Sequence, residues 1–342
     1  MVTLNAIASQ DSSLLIDDGN QSRSSVQQAA DIVGTDSPEI LFGTGEDDVI
    51  SALGGDDTII GTAGNDIVDG GDGTDTIDYS DFGEAVTILP AGDFDNGADS
   101  QLVSIERIVG ATGERNVINA SSAGNNGTSV NVNLSNNSLV VENVPNIGSI
   151  DLGVENFVNV VGTSNADTIV GDGGNNNLTG RAGNDEITGS GGNDVLVGNR
   201  GSDRLNGTDS LLRGANERDF LIGGAEGDRF IIGDVNGSFY TAAGNRDFAQ
   251  VINFSSGDVI ELGTGATYSV ERTDSGFNLF TEEDGRELIA KVQFSANVSS
   301  ISSRASSSIS ADGANSSDSQ IELPTDSFQL NSGETLDIFA GA

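Results

Sequence analysis

The chain predicts an all-β protein: a parallel β-roll or β-solenoid in two repeat blocks, with a β insert between them and an antiparallel β cap behind. Three observations carry that reading. A nine-residue unit repeats in fixed phase from Gly43 and again from Gly162. With 47 glycines, 35% hydrophobic residues, 5% aromatics and no Trp, an ordinary thick core has little to draw on. Beyond Ile232 the pattern turns to strand-like runs split by Ser-Gly and Asp-Gly turns.

Residues 1–40 are polar around one apolar cluster, Leu14, Leu15 and Ile16, and show no sustained period, so they read as a flexible leader. Residues 41–79 form the first block. From Gly43 it runs GTGEDDVIS, ALGGDDTII, GTAGNDIVD and GGDGTDTID, with Asp48, Asp57, Asp66 and Asp75 in sixth place and Ile50, Ile59, Val68 and Ile77 in eighth. Residues 80–161 lose the acid phase but keep strand-like runs such as VSIERIVGA, TSVNVNL, SLVVENV and ENFVNVVG. They predict a degenerate solenoid or β insert. GATGERNVI from Gly110 aligns with GTSNADTIV from Gly162 and puts Arg115 where Asp167 stands, as if a guanidinium replaced the cation.

The second block, 162–231, reads GTSNADTIV, GDGGNNNLT, GRAGNDEIT, GSGGNDVLV and GNRGSDRLN, with Asp167, Asn176, Asp185, Asp194 and Asp203 in sixth place. After an interruption, GTDSLLR, it resumes as GANERDFLI and GGAEGDRFI with Asp219 and Asp228. Residues 232–295 predict the cap, since a bare solenoid end exposes strand edges. Residues 296–342 are a Ser-rich linker followed by the ending ETLDIFAGA.

Charge says which partners to discount. Acidic residues number 53 against 14 basic, a net charge of -39, and Lys291 is the sole lysine. Such a surface repels nucleic-acid phosphates and anionic lipids. Its compact state needs high salt or bound cations. A halophile's solvated acidic surface is the alternative, but its acids would be scattered rather than phased. No cysteine and no histidine are present, which removes disulfides, thiolate sites, the commonest transition-metal ligand and the commonest general base. Oxygen ligands remain. No apolar run approaches the roughly 18 residues of a membrane span. The first cation is Arg23, so a cleavable N-terminal signal is not supported and export would need another signal.

Each nonad divides into a six-residue turn and a three-residue strand. Glycine allows the tight turn, and one branched residue points inward from the strand. Two nonads make one coil, so Asp48 should approach Asp66, and Asp57 should approach Asp75. Carboxylates this close repel unless a hard cation lies between them, with turn carbonyls completing an oxygen shell. Calcium fits best: it takes six to eight oxygens flexibly, whereas magnesium wants a tight octahedron and zinc wants His or Cys. The candidate metal residues are Asp48, Asp57, Asp66, Asp75, Asp167, Asp185, Asp194, Asp203, Asp219 and Asp228. With them go the turn glycines Gly43, Gly61, Gly64, Gly70, Gly73, Gly180, Gly183, Gly189, Gly192, Gly198 and Gly201. Turn propensity alone would explain one nonad. It does not demand the acid at one offset in unit after unit.

GTAGNDIVD and GSGGNDVLV resemble the RTX, or hemolysin-type, calcium-binding nonapeptide repeat, over Gly43 to Asp78 and Gly162 to Ile231. DFAQVINFSSGDVIEL is similar to the cap that follows such repeats, particularly in secreted cyanobacterial members. The resemblance implies a β-roll that shares calcium between coils, with Ca2+ as cofactor. It also implies type I secretion through an uncleaved C-terminal signal, and ETLDIFAGA, with Asp337 before Ile338 and Phe339, is similar to such endings. Three departures should weaken sites that touch them: Glu46 replaces a turn glycine, Asn176 replaces an aspartate, and GTDSLLR breaks register.

These implications favour a secreted calcium-binding protein, not an enzyme, that folds outside the cell on Ca2+ and acts as a structural, surface or adhesive module. Its partners would be calcium, the type I machinery and a cell-surface or matrix polysaccharide. The alternative is a carbohydrate-binding module, although 3 Tyr, no Trp and few cations suit that poorly. A carboxylate-dependent polysaccharide-active enzyme, using Asp81, Glu84, Asp93 or Asp95, is the weaker alternative. No amphipathic helix of a pore former precedes the repeats.

Overall fold

The computed structural model describes residues 4–7, 29–90, 100–123, 127–282, 285–295, 308–310, 320–321 and 337–340. It divides into two compact units, Met1–Val161 and Gly162–Ala342. Both are built almost wholly of strands, and parallel pairing dominates the repeats.

In the first unit each nonad lays down one short strand. Asp31–Val33, Val49–Ser51 and Ile67–Asp69 pair in parallel in one sheet, and Ile40–Phe42, Thr58–Ile60 and Thr76–Asp78 in the other. A three-residue strand sends its middle side chain inward and its neighbours outward. Ile50 therefore stacks on Val68 and Ile59 on Ile77, and all four are buried. Full burial of each contributes roughly 1.5–3 kcal/mol. The core is one side chain thick, which is how so little hydrophobic sequence suffices.

The roll begins earlier than the acid phase indicates. Asp31–Val33 and Ile40–Phe42 already form a coil, although the first of these strands lies within the expected leader of residues 1–40 and the second begins at its last residue. The acid that marks later nonads is replaced here by Ala30 and Glu39, whose backbone N–H groups still donate to Asp48 and Asp57. Leu4–Ile7 pairs antiparallel with Thr87–Pro90 and Ser100–Val103. Residues 8–28 of the leader lie outside the described residues.

Residues 80–161 keep part of the roll. Arg107–Val109 lies parallel to Thr76–Asp78, and Asn116–Asn119 lies parallel to Thr87–Pro90 and Phe157–Val161. Between them Ser129–Asn133, Ser138–Val144 and Gly148–Glu155 form an antiparallel meander.

In the second unit Ile169, Ile187, Leu205 and Phe230 stack in one sheet and Leu178, Leu196 and Leu221 in the other, all fully buried. GTDSLLR does not break this register. The extra residues swell one turn outward, leaving Leu211 exposed, while Leu196 still pairs with Leu221 and Leu205 with Phe230. The cap also starts later than its sequence suggests. Phe248–Phe254 and Val259–Leu262 add further parallel rungs, and antiparallel pairing joins Thr267–Thr273, Gly276–Thr281 and Glu287–Phe294. Phe230, Phe254, Phe277 and Phe294 close the end of the aliphatic core, with ring centroids 5.9–6.5 Å apart. Of the tail, Asp337–Ala340 pairs in parallel with Val259–Leu262. Most of the Ser-rich linker lies outside the described residues.

Candidate metal centre

The sixth-place aspartates form ladders along the turns. The backbone N–H of Asp48 donates to Oδ1 of Asp66 at 2.9 Å, and that of Asp57 to Oδ1 of Asp75 at 2.8 Å. In the second unit one ladder runs Asp167, Asp185, Asp203, Asp228 and on to Asp258. The other runs Asn176, Asp194, Asp219. The pairs lie eighteen residues apart, or 25 across the swollen turn, and 30 from Asp228 to Asp258. Each carboxyl is thus held by one oxygen, with its side chain buried beneath the turn.

The second oxygen decides the chemistry. Oδ2 of Asp57, Asp75, Asp185, Asp194, Asp203 and Asp228 is buried with no hydrogen-bond partner. A buried ionised carboxylate without compensation is strongly unfavourable. Burial is the largest cause that lifts Asp75 and Asp203, and it lifts Asp185 and Asp228 to about 7 and Asp194 to about 8, with neighbouring carboxylates adding to it. Asp66 is raised to about 6 by the same two causes.

The orphaned oxygens border small backbone cradles. A side chain on Gly189 would collide with Asp194 Oδ2 and the carbonyl of Gly207; one on Gly198 would collide with Asp203 Oδ2 and the carbonyl of Gly223. Gly70 and Gly180 border Asp75 and Asp185 in the same way, and Gly43 borders Asp48. Only glycine leaves these spaces open. Fourth-place glycines serve the turn instead: Gly192 and Gly201 have φ of 111° and 120°, as Gly64, Gly73 and Gly183 are likewise positive. Gly61 differs, because the ring of Tyr79 fills the space beside it. Among the described residues no three acidic side chains converge, so any shell must draw on carbonyls. All-oxygen donors of that kind suit a hard divalent cation.

Not every predicted aspartate offers a vacant oxygen. Asp48 Oδ2 accepts from the Thr44 backbone at 2.5 Å, and Asp167 Oδ2 from the Thr163 backbone at 2.6 Å. Asp219 Oδ2 accepts from the Tyr240 hydroxyl at 2.6 Å. Asn176 spends its amide on Asp172, at 3.1 Å.

Arg115 does not occupy the place of an aspartate. The turn from Gly110 is one residue longer than a regular one, so Asn116 is buried there and Arg115 points outward to Asn159. Asn116 Oδ1 accepts from the Val86 backbone at 2.7 Å, and its Nδ2 donates to the carbonyls of Ala111 and Asn156 at 2.8 and 2.7 Å.

Three features escaped the sequence reading. Glu106 accepts from the Asp75 backbone at 2.8 Å and so extends that ladder, and Asp258 extends the ladder of Asp228. Each lies two residues before a buried isoleucine, Ile108 or Ile260, a signal masked by the missing glycines. Fifth-place side chains form a counter-running ladder on the exposed rim, where the backbones of Asn65, Thr74 and Ser202 donate to Asp47, Asp56 and Asn184. The recurring Asp or Asn before the sixth place was its trace. Asp81 and Glu84 are exposed, and Asp93 and Asp95 lie outside the described residues.

The RTX calcium-binding nonapeptide repeat family matches residues 33–80, 161–196 and 188–210, in 4 copies. Among solved structures the chain is similar to the extracellular lipase LipA from Serratia marcescens, at 15% identity with a TM-score of 0.26. The match covers 80% of this chain and 39% of that one, so it spans well under half of the lipase. No curated protein matches the chain at a significant level. Repeats of this family bind Ca2+, the kind of cation that the oxygen donors select.

Proposed function

From repeats that belong to the RTX calcium-binding nonapeptide family, we propose that this protein is exported and folds on calcium outside the cell, where it serves as a structural, surface or adhesive module. The observation that carries the reading is the set of six buried aspartate oxygens without hydrogen-bond partners, at Asp57, Asp75, Asp185, Asp194, Asp203 and Asp228. We assign the calcium to these residues, with neighbouring turn carbonyls completing each shell. When bound, calcium supplies the positive charge that lets carboxylates stay ionised at close range.

The chain does the rest. Oδ1 of each aspartate hooks the preceding coil, Oδ2 is presented inward, and first-place glycines keep the cradle open at all of them but Asp57, whose unit begins with the buried Ala52. A cation that binds only this folded arrangement adds its binding energy to folding. In cytosol poor in calcium, 53 acids against 14 bases favour an unfolded chain that an export channel can thread. Extracellular calcium modules work at about 0.1–1 mM, so the medium would act as the switch. The tail ETLDIFAGA suits a role as the export signal, and a polysaccharide of the cell surface or matrix is the partner to seek.

Circular dichroism during a calcium titration tests the folding step. A cooperative gain of β-structure is expected, and an unchanged spectrum up to ~10 mM calcium, well above the range of such modules, would refute it. Cell fractionation tests the export: the product belongs in the medium or at the surface.

A further inference from the structure

Resting on the calcium reading above, we infer that Tyr240 ends one calcium column of the second unit, its phenol taking the cation's place at Asp219, which binds no metal. On regular rungs an aspartate lies over an aspartate. Above Asp219 the register instead places Ala249, and the buried carboxylate that the next turn does bring, Asp247, gives its Oδ2 to the backbones of Asn216, Ala242 and Ala243 rather than to the Asp219 rung. What that turn brings to the rung is Tyr240. The side chain is fully buried, its hydroxyl donates to Asp219 Oδ2 at 2.6 Å, and it fills the cradle beside Gly207 that stands open beside Gly198.

The fit is built in rather than incidental. Tyr240 adopts φ of 58°, sparsely populated for a non-glycine residue, and its backbone N–H is fixed to the Arg213 carbonyl at 2.8 Å. Its ring lies against Gly214, in the extra length of the swollen turn. Burial and the Asp219 carboxylate hold the phenol well above its ordinary range, so it stays a donor at neutral pH. The opposite ladder ends otherwise: Asp228 passes its rung to Asp258, whose Oδ2 accepts from the Ser255 backbone at 2.7 Å.

The first unit repeats the arrangement. The ladder of Asp57 and Asp75 is continued by an acid, Glu106. The ladder of Asp48 and Asp66 ends where the buried Tyr79 ring covers Gly61. In each unit one ladder passes to a downstream acid, and a buried tyrosine covers a cradle glycine of the other.

Native mass spectrometry of the full chain in calcium, comparing wild type, Asp203→Asn and Asp219→Asn, tests the assignment. Asp203→Asn should lose at least one bound calcium and Asp219→Asn none, because an amide keeps both the backbone hook and the phenol contact. A wild type without bound calcium would sink the functional reading itself. Loss in Asp219→Asn equal to that in Asp203→Asn, with wild type loaded, would overturn only the inference. Should Asp219→Asn fold poorly, Tyr240→Phe reads the same point, since it removes only the hydroxyl. An unchanged calcium count with a lower thermal midpoint supports the assignment; a count lower by one would make the phenol oxygen a calcium ligand and overturn it.

Discussion

The Asn116 rung of the first unit and the Asp203 rung of the second hang on their backbones alike and differ at one side-chain atom. Asn116 Oδ1 accepts from Val86 at 2.7 Å, and Asp203 Oδ1 accepts from Asp185 at 2.8 Å. Both side chains are buried. Beyond that hook, the Asn116 amide donates to two carbonyls, whereas Asp203 presents an oxygen with no donor beside the Gly223 carbonyl. The coil geometry therefore does not require charge. It requires something that donates to, or coordinates, the inward carbonyls, and an amide supplies that internally where an aspartate must import a cation. Tyr240 on Asp219 is a third solution, in which a phenol supplies the proton.

Acid should separate the two kinds of rung most strongly. Burial raises the carboxyls of Asp185, Asp194 and Asp228 to about 7, 8 and 7, above the ordinary 3.8. A folded value above the unfolded one means that the fold binds protons more tightly. The resulting stability is complete below about 4 and is lost as pH rises through about 7–8. Calcium-free protein should therefore gain β-structure and hydrogen-exchange protection in residues 162–231 between pH 8 and pH 5, while the Asn116 rung has nothing to titrate. Calcium should compete with protons, so its affinity falls over the same interval. Equal unfolding at pH 5 and pH 8 without calcium would contradict this.

Asn116→Asp tests the comparison from the other side, by giving the metal-free rung the acid. In chelator the new carboxylate faces the carbonyls of Ala111 and Asn156 with no proton to offer, a loss of about 3–5 kcal/mol for an uncompensated buried charge. Urea midpoints should show that loss, and saturating calcium should restore part of it if the acid is what makes a coil a cation site. A midpoint equal to wild type in chelator would mean that the amide donors contribute little.

How much of this was legible follows from what each residue has to do. Asp57, Asp75 and Ile59 recur at fixed offsets because the coil fixes them, so the parallel roll and its eighteen-residue pairing could be read directly. Arg115 was misassigned because the added turn residue moved the inward position one residue on, to Asn116, and nothing local marks a turn's length. GTDSLLR was misjudged as a break because a turn can swell while strands keep register, and register is set by the buried partners Leu196 and Leu221, far from the insertion. Tyr240 was invisible for a related reason. Its contact with Asp219 spans 21 residues and depends on how a non-repeating loop folds back.

The smallest expected effect belongs to the residue that the sequence singled out. If a guanidinium stood in for the cation, Arg115→Ala would empty a buried site and cost several kcal/mol. Arg115 is exposed, however, and its described partner is the Asn159 side chain at 3.1 Å, a contact open to water. Exposed polar contacts of this sort contribute about 0–1 kcal/mol, and surface substitutions away from special features usually stay within roughly 0.5 kcal/mol. Arg115→Ala should leave the urea midpoint nearly unmoved in calcium and in chelator alike. A loss comparable to that of Asn116→Asp would return the cation's role to Arg115, and with it the view that this rung needs a positive charge.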